Sequence, residues 1–293
     1  MSERVTYGGQ AVLEGVMIRG REYASVAVRR PDGTIAQTSI PLGGWLTGRM
    51  RRIPLVRGVL TLAETLTLGM RALSYSAGVA AEAEGEELGK GTMAVMLTVS
   101  LTLAIALFFL TPLFASRPFE GMLGSDILSN VVEGLIRLGL FLGYLVLISR
   151  MRDIRRVFMY HGAEHMTIHA QERGDPLDVP SIRKYPTAHP RCGTAFLLVV
   201  MVVAVAVFVF AGRDPLWWLI SSRVLLVPAI AAVSYELIRL SGIHAGNPLV
   251  QLINGPSLAL QALTTREPDD DQIEVAVSAM THALETDRSP AGA

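Results

Sequence analysis

The residues best suited to chemistry lie in YHGAEHMTIHA, residues 160–170, where His161, His165 and His169 recur every fourth position. Residues four apart on a helix sit one turn apart on one face, so His161 and His165 can hold one divalent metal ion, zinc first, between two imidazoles. Glu164 lies on the adjacent edge of that face. The pattern His-x-x-Glu-His also occurs in inverted-motif zinc peptidases, where the histidines bind zinc and the glutamate is the general base on water. A catalytic zinc needs a third protein ligand. Glu236 is the first choice, because a carboxylate at the end of an apolar run is costly without a partner. His169, His189, Cys192 and Glu14 are the other candidates. Bland readings stand beside each of these. The histidines could face water and headgroups from an interfacial helix. Glu236 could pair with Arg239 or another loop arginine. His189-x-x-Cys192 has a metal-binding spacing, yet Pro190 and Gly193 read more simply as a rigid entry into the apolar run that follows.

The elements that must position these residues are dominated by long apolar runs. The chain has 293 residues, 51% hydrophobic and 18% charged. Residues 92–116 contain no charged residue, and residues 194–212 none either. Both are expected to cross a bilayer as helices, because lipid offers no partner to an open backbone. Residues 130–149 are apolar apart from Glu133 and Arg137, and residues 216–237 apart from Arg223 and Glu236. Glu133 and Arg137 are spaced to pair on one helix face. These charges are expected to stitch a bundle together rather than line a transport path.

Lysine and arginine orient the spans. Residues 150–193 carry Arg150, Arg152, Arg155, Arg156, Arg173, Arg183, Lys184 and Arg191, whereas 117–126 carry only Arg117 and 213–215 only Arg213. The basic middle segment is therefore expected in the cytosol, with both termini on that side. Arg49, Arg51, Arg52 and Arg57 agree. The first 20 residues hold no apolar core of a secretory signal. The balance of 26 basic and 26 acidic residues offers nothing to nucleic acid, and one cysteine excludes an intramolecular disulfide.

The expected fold is thus a polytopic α-helical membrane protein with four transmembrane helices, a small cytosolic N-terminal β-containing subdomain and a cytosolic C-terminal helix. Its parts are a β-hairpin-containing subdomain (1–53), an amphipathic or interfacial helix (54–80) and an acidic linker (81–91). The first transmembrane pair (92–149), the histidine-bearing segment (150–193), the second pair (194–240) and the tail (241–293) follow. Alternating apolar residues around Pro31-Asp32-Gly33 predict the hairpin over 25–37. Residues 8–20 add a strand or two, and their glycines suggest close backbone approach or bulges. Arg57, Glu64 and Arg71 recur every seven residues on an otherwise apolar helix. After Glu267 and Pro268, acidic residues start a helix with Ile273, Val277, Met280 and Leu284 on one face, expected to pack on the N-terminal subdomain. His244 and His282 read as surface histidines.

GGQAVLEGVMIRG, YHGAEHMTIHA, HPRCGTAFLL, SYELIRL and LTTREPDDDQIEVAVSA, in this order, resemble the YqhQ-like family of bacterial membrane proteins. The resemblance covers nearly the whole chain. It implies four spans in a bacterial inner membrane and a metal-dependent enzyme, with no reaction attached. Met166 stands where the family commonly has lysine, which does not touch the metal ligands.

Three functions compete. One is a membrane-embedded metal-dependent hydrolase acting at the cytosolic face on a lipid headgroup or a membrane-proximal peptide. The second is a non-enzymatic scaffold, assembly factor or small transporter. The third, a di-iron oxygenase of the desaturase type, needs about eight histidines by resemblance to that family, and this chain has 6.

Overall fold

The computed structural model describes residues 7–42, 53–83, 89–190, 192–244 and 246–288. Arg49, Arg51, Arg52 and Arg191, used above to orient the chain, lie outside the described residues, as do 84–88 of the acidic linker. The N-terminal strands β1 (Gly8–Val12), β2 (Gly15–Arg19), β3 (Tyr23–Arg29) and β4 (Ile35–Pro41) form one antiparallel meander in chain order. The β3–β4 turn is the anticipated one. Asp32 Oδ1 accepts from the Thr34 amide at 2.9 Å and hydroxyl at 2.7 Å, and Gly33 supplies a φ of 85°. The preceding residues give two strands, joined through Glu14 at a φ of 51°.

Both faces of this sheet are covered, and the pleat sorts its side chains between them. Val12, Met17, Val26, Val28 and Ile40 pack on Leu68, Ala72 and Val79 of α1 (Val56–Ala83). Val16, Ile18 and Ala27 face α5 (Arg152–Arg173) and α11 (Asp270–Arg288), where they meet Ala163, Met166, Ile273, Ala276 and Met280. Two of the three residues of the polar stripe on α1 dock the helix, and Arg71 is exposed. Glu64, 2% exposed, accepts Arg19 of β2 at 2.9 Å, and Arg57 pairs with Glu236. On α11, Ile273 and Met280 are fully buried, while Val277 and Leu284 pack at the edge. His282 on the same helix bonds Ser39 at 2.8 Å.

The sheet and the terminal helix therefore share one core. Deleting residues 268–293 removes Ile273 and Met280 from it. That costs roughly 3–6 kcal/mol at about 1.5–3 kcal/mol per large side chain, enough to unfold a marginal unit. Limited proteolysis of the truncated protein should cut within 25–37 at rates at which the full chain is protected. Equal protection of the two would show that the sheet stands without α11.

The apolar runs form a helical layer beside this unit. Here α2 (Lys90–Ile105) passes through a π-helical turn (Ala106–Leu110) into α3 (Thr111–Leu123), and α4 (Asp126–Ile148) returns. Gly91–Leu123 and α4 are long and apolar enough to cross a membrane. The third run, α7 (Gly193–Val209), has 17 residues, so it extends about 26 Å against the ~30 Å of hydrocarbon. The fourth breaks before Pro228 into α8 (Leu216–Leu225) and α9 (Val227–Ile243), bent by 42°, and counts as a third long span if the pair is taken together. Proline removes the amide that would continue the ladder. A helix absent from the expectations, α10 (Pro248–Thr264), packs Leu260 against Phe141 and Leu145 of α4. Met151 is extended, so α5 is a new helix rather than a continuation of α4.

Arg137 and Arg223 of the apolar runs, with Arg213 from the connection between two of them, meet at one carboxylate. Glu133, 1% exposed, accepts from Arg137 at 2.7 Å, Arg213 at 2.9 Å and Arg223 at 2.8 Å. Arg213 also pairs with Glu120, and Arg137 Nε donates to the Phe108 carbonyl in the π-helical turn at 3.0 Å. A π-turn loosens the helical ladder, which leaves such a carbonyl available to a side chain.

Candidate metal centre

Helix α5 presents His161, Glu164, His165 and His169 toward the 185–193 segment and the N-terminal end of β1. Two glycines permit this fit. A Cβ on Gly162 would lie 2.1 Å from the Arg266 carbonyl oxygen, so the chain leaving α10 presses directly on α5. The Arg266 amide donates to the Phe158 carbonyl at 2.9 Å, fixing that contact. A Cβ on Gly9 would lie 2.8 Å from the Glu164 carboxyl carbon. The close approach suggested by the glycines of residues 8–20 is made at Gly9 against both the Met17 carbonyl and Glu164, and at Gly15 against the Ala27 carbonyl.

Neighbouring carbonyls set the histidine tautomers. His161 Nδ1 is 2.8 Å from the Thr264 carbonyl oxygen and His165 Nδ1 is 2.6 Å from that of Thr187. A carbonyl only accepts, so both Nδ1 atoms carry the proton and both Nε2 atoms offer a lone pair. This is the arrangement that orients metal-ligating histidines. His161 Nε2 is 3.3 Å from Cys192 Sγ. Ligand atoms of His161, His165 and Cys192 lie within 4.8 Å of one another, and His169, Glu172 and His189 form a second such group. Either cluster could hold a metal ion. Cys192 also caps α7, its sulfur accepting from the Thr194 amide at 3.3 Å. His189 and Cys192 fall into different clusters, so the His189-x-x-Cys192 spacing does not bring them to one point, while the helix-entry reading describes Cys192.

Burial sets the electrostatics. Glu164 is 3% exposed, and burial pushes its pKa up to about 7, opposed by His161. The Gly9 amide donates to this carboxyl, while Oε2 has no hydrogen-bond partner among the described residues. Burial, then His161, holds the His165 pKa down to about 3, and burial with His169 holds His189 down to about 4. Both imidazoles are therefore neutral at physiological pH, the form that binds metal. A cavity of about 30 Å³ lies between these groups, walled by Tyr7, Gly8, Gly9, His161, Glu164, His165, His189 and Cys192.

Glu236 is not brought to this cluster. Its carboxylate is taken by the Arg57 guanidinium and by the Leu55 amide at 3.1 Å. A salt bridge does hold it, but the partner is Arg57 on helix α1 and not Arg239 or a loop arginine. Glu14 is likewise held by Arg156 at 2.5 Å and by the Tyr160 hydroxyl at 3.2 Å. Three positioning residues escaped sequence reasoning: Thr187 and Thr264, which act through backbone carbonyls and leave no side-chain signal, and Gln261. The Gln261 amide clamps the His189 backbone on both sides, at 2.8 Å and 3.0 Å. Its signal was a lone amide in the apolar run LALQALT. Glu172 was also passed over. Glu236→Ala should therefore leave metal content unchanged while lowering stability by about 1 kcal/mol through loss of a partly exposed pair. A drop in bound metal per chain, measured by elemental analysis, would return Glu236 to the ligand set.

The family model described as "Protein of unknown function (DUF1385)" matches residues 53–286. The chain is also 32% identical, over 95% of its length and 92% of the relative's, to "Uncharacterized protein YqhQ" of Bacillus subtilis (strain 168). The chain belongs to the YqhQ-like family. No solved structure matches it. The matched span takes in every histidine and cysteine of both clusters.

Proposed function

We propose that this protein is a membrane-embedded metal-dependent hydrolase, with His161, His165 and Cys192 holding a zinc ion and Glu164 serving as general base. The observation that carries this reading is the buried Glu164 oxygen without a partner beside three convergent ligands. Structural zinc sites are closed by four protein ligands, whereas catalytic ones use three and keep a position open. Imidazole and thiolate together suit zinc. When bound, the ion supplies Lewis-acid polarisation of the bond to be cleaved. Glu164 would accept a proton from water and return it to the leaving group.

In this proposal the chain crosses the membrane four times, with α7 and the broken α8–α9 pair completing the set, and the arginine-rich 150–193 segment faces the cytosol. The substrate is then a lipid headgroup or a membrane-proximal peptide on that side. Reporter fusions inserted at 174–178 should read cytosol and those at 118–125 the opposite side. The reverse pattern would remove the cytosolic site.

One observation favours the second reading, a metal-bearing scaffold. The 30 Å³ cavity holds an ion and little else, so a substrate enters only if the Tyr7–Gly9 wall yields. Incubating zinc-loaded protein with a phospholipid extract and with a peptide set decides between them. Products formed by the native protein and not by Glu164→Gln support the hydrolase. No turnover by either, with zinc bound in both, supports the scaffold.

A further inference from the structure

We propose that His169, Glu172 and His189 form a second, separate metal site that takes a divalent cation through two nitrogens and one oxygen. Their ligand atoms converge within 4.8 Å and share no residue with the first cluster. His169 Nε2 is 3.0 Å from the Ala188 carbonyl oxygen. That nitrogen therefore carries the proton, and Nδ1 is left as the ligand. His189 Nε2 stands 3.6 Å from Glu172 Oε2. This is too long for a hydrogen bond. It falls within the roughly 3.3–3.6 Å that separates two ligands each about 2.0–2.2 Å from one tetrahedral ion. The two imidazole rings lie 4.5 Å apart and inclined at 56°.

The surroundings hold this set in place. Gln261 grips the backbone amide and carbonyl of His189, which is 4% exposed. A buried glutamine bonded twice to one residue fixes where that residue's side chain points. His169 stacks on Tyr185 at 5.9 Å and 18°. The same short segment supplies the Thr187 carbonyl to His165 and the Ala188 carbonyl to His169.

A second ion here would tie α5 to the segment that ends in Cys192, because His169 and Glu172 lie on the helix and His189 on that segment.

The inference rests on its own residues, and cobalt(II) separates it from the hydrolase reading. A cobalt ion bound by a thiolate shows sulfur-to-metal charge transfer, and one bound by nitrogen and oxygen alone does not. Full-length protein in mild detergent should bind two equivalents of cobalt, one of them with the thiolate band. Cys192→Ser should lose that band and keep the other ion. His169→Ala and Glu172→Gln should each bind one equivalent and keep the band. Glu172 lies partly at the surface, so its amide variant retains the fold even where the histidine variant does not. Two equivalents retained in Glu172→Gln, or a single thiolate-bound ion in the native protein, would overturn the inference. A single ion without the band, lost in Glu172→Gln, would support the inference and remove the His161–His165–Cys192 site instead. No bound cobalt would end both.

Discussion

His161→Ala and His165→Ala should each abolish tight zinc binding at the centre they share. Each ring contributes one neutral Nε2 set by a backbone carbonyl, and only Cys192 and the other histidine remain once either is gone. The groups that hydrogen-bond metal ligands are worth about 10–100-fold in affinity. Loss of a ligand itself should therefore exceed a hundredfold in a chelator-competition titration. Cys192→Ser should weaken zinc comparably, because a hydroxyl stays protonated where a thiolate does not. Glu164→Gln should behave differently. The amide keeps the size of the side chain and can still accept from Gly9, but it cannot take a proton, so zinc should stay and turnover should disappear. Zinc affinity within threefold of native in both histidine variants would exclude this centre.

The largest effect on stability should come from Glu133→Leu. One carboxylate answers Arg137, Arg213 and Arg223, all 5% exposed or less. Removing it leaves three buried guanidinium groups, of which Arg213 alone is paired with Glu120. Breaking a buried ion pair from one side costs roughly 3–5 kcal/mol, and here three pairs are broken at once. Little folded protein should survive detergent extraction. Arg223→Met should be milder, since Glu133 keeps Arg137 on one oxygen and Arg213 on the other. The check is the thermal unfolding midpoint of both variants in the same detergent. Equal midpoints for Glu133→Leu and the native chain would mean that the network adds nothing to the fold.

How much of the site was legible follows from what kind of group does each job. His161, Glu164 and His165 announce themselves because helical spacing alone puts them on one face. Cys192 was visible as a candidate but could not be ranked, since nothing local says that α7 starts beside α5. Glu236 ranked first on the argument that an isolated carboxylate needs a partner. That argument was sound, and the partner is Arg57, 179 positions away. Sequence gives the demand for a counter-charge and not the address of the one that meets it. Thr187 and Thr264 leave no trace, because every residue carries the carbonyl that they use.

The chain's own pattern determined the hairpin at Asp32-Gly33, the apolar helices, the one-face histidine series and the acidic start of the last helix. All are set by local periodicity, turn chemistry and the helix dipole. Tertiary structure alone decided the rest. It set which runs reach full span length, since the breaks depend on how α8 and α9 pack. It revealed α10, whose short apolar pattern with an internal proline did not declare a helix. It also made the meander a layer between α1 and the α5–α11 pair, joining residues from the two ends of the chain in one core. The candidate metal centre belongs to this second class. Its candidate ligands come from a helix and from the entry to another, and the ring orientations come from carbonyls of two further segments. Such a constellation is fixed by packing at long sequence separation, which local pattern does not encode.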